Sequence, residues 1–100
     1  MPQDTDPQFY DRADAYIDLS NSQISDKESL AKVSASMLFA ASRFNAWVIS
    51  TCFESSGAMK AGREEALRLF TAQYRLMLEE NFADYADNFE KYMAMRKSDV

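Results

Sequence analysis

The sequence predicts an all-α fold: a short N-terminal helix followed by a long antiparallel two-helix hairpin, completing a helical bundle as a dimer. Three observations lead to this. Residues 33–53, VSASMLFAASRFNAWVISTCF, hold a single charge (Arg43) and neither glycine nor proline. The stretch from Arg63 onward keeps an apolar stripe at helical spacing, again without glycine or proline. The chain's two glycines, Gly57 and Gly62, fall between these two segments, where a short connection would join antiparallel neighbours.

In chain order, residues 1–5 read as a loose tail, and so do 97–100 at the other end. Asp6-Pro7 is a start signal, because aspartate can cap and proline is pre-shaped for the first helical position. A first helix over about 7–21 places Phe9, Ala13, Tyr16 and Ile17 on one face and Asp11, Asp14 and Asp18 on the other. Ser25-Asp26-Lys27-Glu28 has the S-x-x-E form of a capping box, so a second helix is expected from there to about Ser55. On a wheel at about 100° per residue this helix has a polar seam through Lys32, Ser36, Arg43 and Ser50, edged by Phe39 and Trp47. A bulky face carries Leu30, Val33, Met37, Phe44 and Val48, and a third face is mostly small. Gly57 can supply a left-handed cap behind Ser55-Ser56. The third helix, about 35 residues and roughly 50 Å long, carries Leu67, Phe70, Tyr74, Met77, Leu78, Phe82, Tyr85, Phe89 and Tyr92 on one side. Leu69, Leu76 and Ala83 form a weaker seam on the other. A kink between Asn81 and Asp84 is compatible with the stripe but not required by it.

Composition narrows the function classes. One hundred residues make one domain, and 47% apolar content places it among globular chains. A net charge of −5 with no extended basic patch speaks against nucleic acid and against an anionic membrane surface. Histidine is absent, which removes the usual general base near neutral pH and the commonest transition-metal ligand. Cys52 is the single cysteine, so no intrachain disulfide can form. The acidic start MPQDTDPQ is unlike a secretory signal, and we expect a cytoplasmic protein. The 33–53 run is long enough to span a bilayer. However, Arg43 at its middle would cost about 2.5–3.5 kcal/mol, and Asn45, four serines and a threonine share the segment.

The segments DPQFYDRADAYIDLSN, KVSASMLFAASRFNAWV and FTAQYRLMLEENFADYADNFEKYM resemble a family of short proteobacterial proteins classed only as a domain of unknown function. The match covers about residues 6–93, and its most specific piece runs from Lys32 to Ala46. The resemblance implies a bacterial, all-helical, cytoplasmic protein, and brings no activity, cofactor or catalytic residue with it.

Each candidate constellation has a plain reading beside a functional one. Glu79, Glu80, Asp84, Asp87 and Glu90 lack the Glu-x-x-His partners of a di-iron bundle and read as a solvated face. Asp11, Asp14 and Asp18 lack the glycine-turned loop of a calcium site. Cys52 reads as a small core residue, since no histidine is there to deprotonate it. Asn45, Tyr74 and Tyr85, with Asn81, Asn88 and Tyr92, lie on faces expected to be buried. Such groups either bond to one another and to backbone, or line a slot between the second and third helices that takes a small ligand. Arg43 and Trp47 form either a cation–π pair and partner anchor or a solvent-facing arginine whose stem covers apolar surface. No catalytic residue, metal site or cofactor emerges. The leading expectation is a non-enzymatic helical interaction module, a homodimer whose interface uses Phe39, Trp47, Leu69 and Leu76. The alternative is a small-molecule-binding bundle built on the polar slot.

Overall fold

A computed structural model describes residues 6–98. Among the described residues there is no strand, and the helices are α1 (Phe9–Ser22), α2 (Lys27–Ser50), α3 (Ser56–Ala61), α4 (Arg63–Asp87) and α5 (Phe89–Ser98). The all-α class therefore holds, with five helices among the described residues where the sequence pattern suggests three. The loose tails expected at residues 1–5 and 99–100 lie outside the described residues, while residues 97 and 98 still belong to α5. The chain divides into two compact units, Asp4–Gly62 with α1, α2 and α3, and Arg63–Val100 with α4 and α5.

In the first unit, α1 starts two residues later than the Asp6-Pro7 signal suggested. Asp6 does not cap it. Its carboxylate accepts from the Gln8 backbone N–H at 2.9 Å and from Arg12 Nη2 at 2.8 Å. This folds the Asp-Pro-Gln turn back onto the helix. The Arg12 guanidinium, followed by the Gln8 N–H, holds the Asp6 carboxyl below the usual carboxylate range. The capping box of α2 also sits one residue later than the S-x-x-E pattern implied. Asp26 is the cap: it accepts from the Ser29 N–H at 2.9 Å, and Ser29 Oγ accepts from the Asp26 N–H at 3.2 Å and the Ser25 N–H at 2.9 Å. A carboxylate offers a stronger acceptor to the helix N-terminus than a serine hydroxyl does, because the helix dipole favours negative charge there.

Helix α2 ends at Ser50 rather than near Ser55. Its last turn tightens into i→i−3 bonds, from Thr51 N–H to Val48 O, Cys52 N–H to Ile49 O and Phe53 N–H to Ser50 O. Ser50 and Thr51 both donate their hydroxyls to carbonyls three residues back at 2.6 Å, which diverts the ladder locally. Ser55 then caps α3, accepting from the Ala58 N–H at 3.1 Å. Gly57 consequently sits inside α3 and is not a left-handed cap; neither glycine has positive φ. Gly62 matters for a different reason. A Cβ placed there would lie 2.9 Å from Phe53 Cε1 and 3.0 Å from Cζ, so the Phe53 ring occupies the space a side chain would need.

In the second unit, Glu64 and Glu65 occupy the first turn of α4, where the dipole favours them. Exposed ion pairs join Arg63 to Glu64, Arg68 to Glu65 and Arg75 to Glu79. The long third helix of the sequence reading is interrupted at Asn88, outside the 81–84 window where a kink was considered. Backbone bonds at helical spacing still cross the break, from Asn88 N–H to Asp84 O at 3.0 Å and from Tyr92 N–H to Asn88 O at 3.1 Å.

The Phe53–Gly62 contact has a measurable consequence. Gly62→Ala should lower stability modestly, because the half-buried Phe53 ring must shift to admit the methyl group and this more than offsets the ~0.4–1 kcal/mol that a less free unfolded chain would return. In a Phe53→Ala background the same substitution should become neutral or stabilising. Urea unfolding of the four variants, followed by circular dichroism, measures this coupling; equal effects in both backgrounds would mean the ring does not hold that space.

Candidate interaction surface

None of the described residues is buried, in either unit. The sequence pattern places apolar residues on the long helices as if each were to be covered, and α2 and α4 instead carry them in the open. On α2, Phe39 is 66% exposed and Trp47 63%, with Leu38 and Phe44 also more than half exposed. On α4, Leu69, Leu76, Phe82 and Tyr85 are each more than half exposed.

The residues singled out from sequence fall on this surface. Phe39, Arg43, Asn45 and Trp47 are all exposed on α2 in the first unit. Leu69, Tyr74, Leu76 and Tyr85 are exposed on α4 in the second. Asn45 on one side of the supposed slot and Tyr74 and Tyr85 on the other therefore belong to different units. Within α2, Trp47 does not pair with Arg43 by a cation–π contact. Its indole meets the Phe44 ring at 5.8 Å between centroids and 41° between planes, as residues three apart on a helix can. The cation–π contact among the described residues is elsewhere, Lys91 Nζ lying 5.9 Å from the centre of the Tyr92 ring. Cys52, expected on a buried side, is exposed, its thiol directed at Val48 O at 3.9 Å.

Besides the Asp26–Ser29 box, a second polar cluster lies where α4 passes into α5. Asn88 Nδ2 donates to Asp84 O at 3.0 Å and to Asp84 Oδ1 at 2.9 Å. The Tyr92 hydroxyl donates to the other carboxylate oxygen at 2.7 Å, and the Tyr85 and Tyr92 rings meet at 4.3 Å. Asp84 thus anchors the turns on both sides of the break. By pattern, Asn88 and the tyrosines form a polar set in need of partners, whereas Asp84 falls on a solvated face. The spacing 84, 88, 92 was the available signal, since residues four apart share a helix face. Elsewhere in the acidic row Glu79 pairs with Arg75, and among the described residues no three metal-binding side chains converge. None of the helices described is long and apolar enough to cross a membrane.

A family model described as "Protein of unknown function (DUF3144)" matches residues 9–86, most of the chain and all of α1 to α3. The chain belongs to this family. Its match runs from the first residue of α1 to the penultimate residue of α4, so the DUF3144 region takes in both long apolar helices and stops short of Asn88 and α5. No curated protein and no solved structure matches the chain.

The Asp84 cluster sets a pH response. The hydrogen bond to Asp84, then desolvation and the nearby Asp84 charge, raise the Tyr92 phenol above its ordinary value. A raised value favours the neutral phenol in the folded state. The stabilisation is therefore complete below the ordinary tyrosine range near 10 and is lost as pH rises through the raised value. Asp84→Asn should move the Tyr92 titration, followed by ring NMR shifts, down toward the ordinary phenol value. An unchanged titration would show that Asp84 does not hold the hydroxyl.

Proposed function

We propose that this chain is a non-enzymatic helical interaction module that works as a homodimer, its exposed apolar helix faces being the contact surface. The observation that carries this reading is the combination on α2 and α4 of large exposed apolar side chains with no buried residue among those described. Contiguous apolar surface beyond a few hundred Å² is rare on soluble monomers and marks contact sites. Trp47 and Phe39 are the kind of large side chain that anchors interfaces, and the −5 net charge suits a protein rather than a nucleic-acid partner. Self-association is the simplest cover, because closed two-fold dimers are the commonest assembly of soluble chains.

Two substitutions test it. Trp47→Ala and Leu76→Asp should each weaken dimerisation by about 30-fold or more, the scale of an interface hot spot at ~2 kcal/mol. In sedimentation they should yield monomers at concentrations where the parent chain is dimeric. A parent chain that stays monomeric at high concentration, or variants of unaltered mass, would defeat the proposal.

A further inference from the structure

We infer that the Phe39–Arg43–Trp47 face of α2 docks on the acid-flanked Leu69–Leu76–Ala83 face of α4 in a second copy, with the two helices antiparallel. This rests on the homodimer reading and specifies the contact that reading needs. Phe39, Arg43 and Trp47 follow one another at four-residue steps, so they stand in a row on one side of α2. The charges of α2 are Lys27, Glu28, Lys32 and Arg43; Lys32 lies in line with Arg43 on this face, and Glu28 lies at its edge. The ion pairs among the described residues use Arg12, Arg63, Arg68 and Arg75, and leave Arg43 without a carboxylate. On α4, Leu69, Leu76 and Ala83 recur every seven residues on the side away from the aromatic stripe. At about 100° per residue, Glu65, Glu79, Glu80, Asp87 and Glu90 all fall within about 60° of that line, with Lys91 at its edge. Glu90 belongs to α5, and the backbone bonds that cross the break at Asn88 carry the helical phase through to it.

Charge complementarity decides the occupant. Each copy presents a cationic face edged by two large aromatic rings, and an acidic face with an aliphatic centre. Phe39, Trp47, Leu69 and Leu76 are each more than half exposed in the single chain, so their cover comes from outside it, and a second copy brings both halves. Register decides the direction. With Arg43 level with Glu79 and Glu80, antiparallel helices set Phe39 over Ala83, Trp47 beside Leu76 and Lys32 beside Glu90. One ring then meets a small residue, the other an aliphatic one, and both cations of the face meet carboxylates. Each of these matched pairs lies on the same side of the contact, so the charges meet across it rather than behind a helix. Parallel helices at that level bring Glu28 level with Glu64 or Glu65 as like charges, and Lys32 level with Arg68 or Leu69. A two-fold dimer makes the antiparallel contact twice, α2 to α4 and α4 to α2. The Arg75–Glu79 pair is exposed, and surface pairs of this kind are weak enough for Glu79 to be shared with a second arginine.

Charge exchange on the full chain tests this. Arg43→Glu in one chain, and Glu79→Lys with Glu80→Lys in another, should each weaken self-association about tenfold or more in sedimentation at low salt. Mixed one to one, the two variant chains should associate as heterodimers as the parent does, because both contacts of the pair then join opposite charges. All three positions are exposed, so the mixture should also keep the parent's helical signal in circular dichroism. If the parent is a dimer and either variant keeps its affinity, or the mixture fails to associate, this inference is overturned and the homodimer reading stands. A parent chain that stays monomeric overturns both. Cross-linking reads the direction, with Cys52→Ser removing the exposed native thiol. A chain carrying Ser36→Cys should form a disulfide with one carrying Asp87→Cys, its antiparallel neighbour, and not with one carrying Gln73→Cys. The reverse preference would mean parallel helices and would overturn the antiparallel contact.

Discussion

Cover for the apolar faces of α2 and α4 is the constraint on which everything else in this chain depends. A helix in water gains little from its own hydrogen bonds, because nucleation is costly and propagation adds only slightly per residue. Packing of an apolar face supplies most of the stability of helices in proteins. Here both long helices carry that face and leave it open, with Phe39 and Trp47 on one and Phe82 and Tyr85 on the other. The local devices in each unit are real but small. The Asp26–Ser29 box contributes about 0.5–2 kcal/mol, and exposed pairs such as Arg75–Glu79 contribute a few tenths. Neither matches the ~1.5–3 kcal/mol that burying a single Leu or Phe provides.

The same constraint links architecture to proposed role. A chain that buries its apolar helices only by meeting another chain couples folding to association, so its contact surface is also its means of staying folded. The DUF3144 match covers α1 through nearly all of α4, which is the region where the large apolar residues are exposed. The Asp84–Asn88–Tyr92 cluster straddles the end of that region, with Asp84 inside it and Asn88 and Tyr92 beyond. It ties the last turns of α4 to α5 by side-chain bonds at helical spacing, and so holds direction across the interruption at Asn88.

Much of the fold was legible because helix punctuation is local. The uninterrupted stretch around Arg43, the stripe from Leu67 to Tyr92 and the acidic first turns all follow from spacing alone. What was misread is competition between near-equal local options. Ser25 and Asp26 both offer caps, and the carboxylate takes the role. Ser50 and Thr51 divert the ladder of α2 five residues before the Ser-Ser-Gly signal, so Gly57 never serves as a cap. Asn88 stands at the break in the third helix, its amide reaching the Asp84 carbonyl that its own N–H also uses. The Phe53–Gly62 contact was invisible, since it depends on the path of the short connection rather than on any periodic pattern. For the candidate surface, the apolar residues were legible, and Phe39, Trp47, Leu69 and Leu76, expected to be left over by the packing, are exposed. The exposure of Phe44, Tyr74, Phe82 and Tyr85 was not legible, because periodicity shows which residues share a face and says nothing about what lies against it.

The most direct test of the central claim is thermal unfolding of the helical signal over a hundredfold range of chain concentration. If the open faces of α2 and α4 are covered by association, the midpoint rises with concentration, as mass action requires of an oligomer that unfolds to monomers. A cooperative transition whose midpoint does not move with dilution would mean that the chain covers those faces by itself, and would contradict the account.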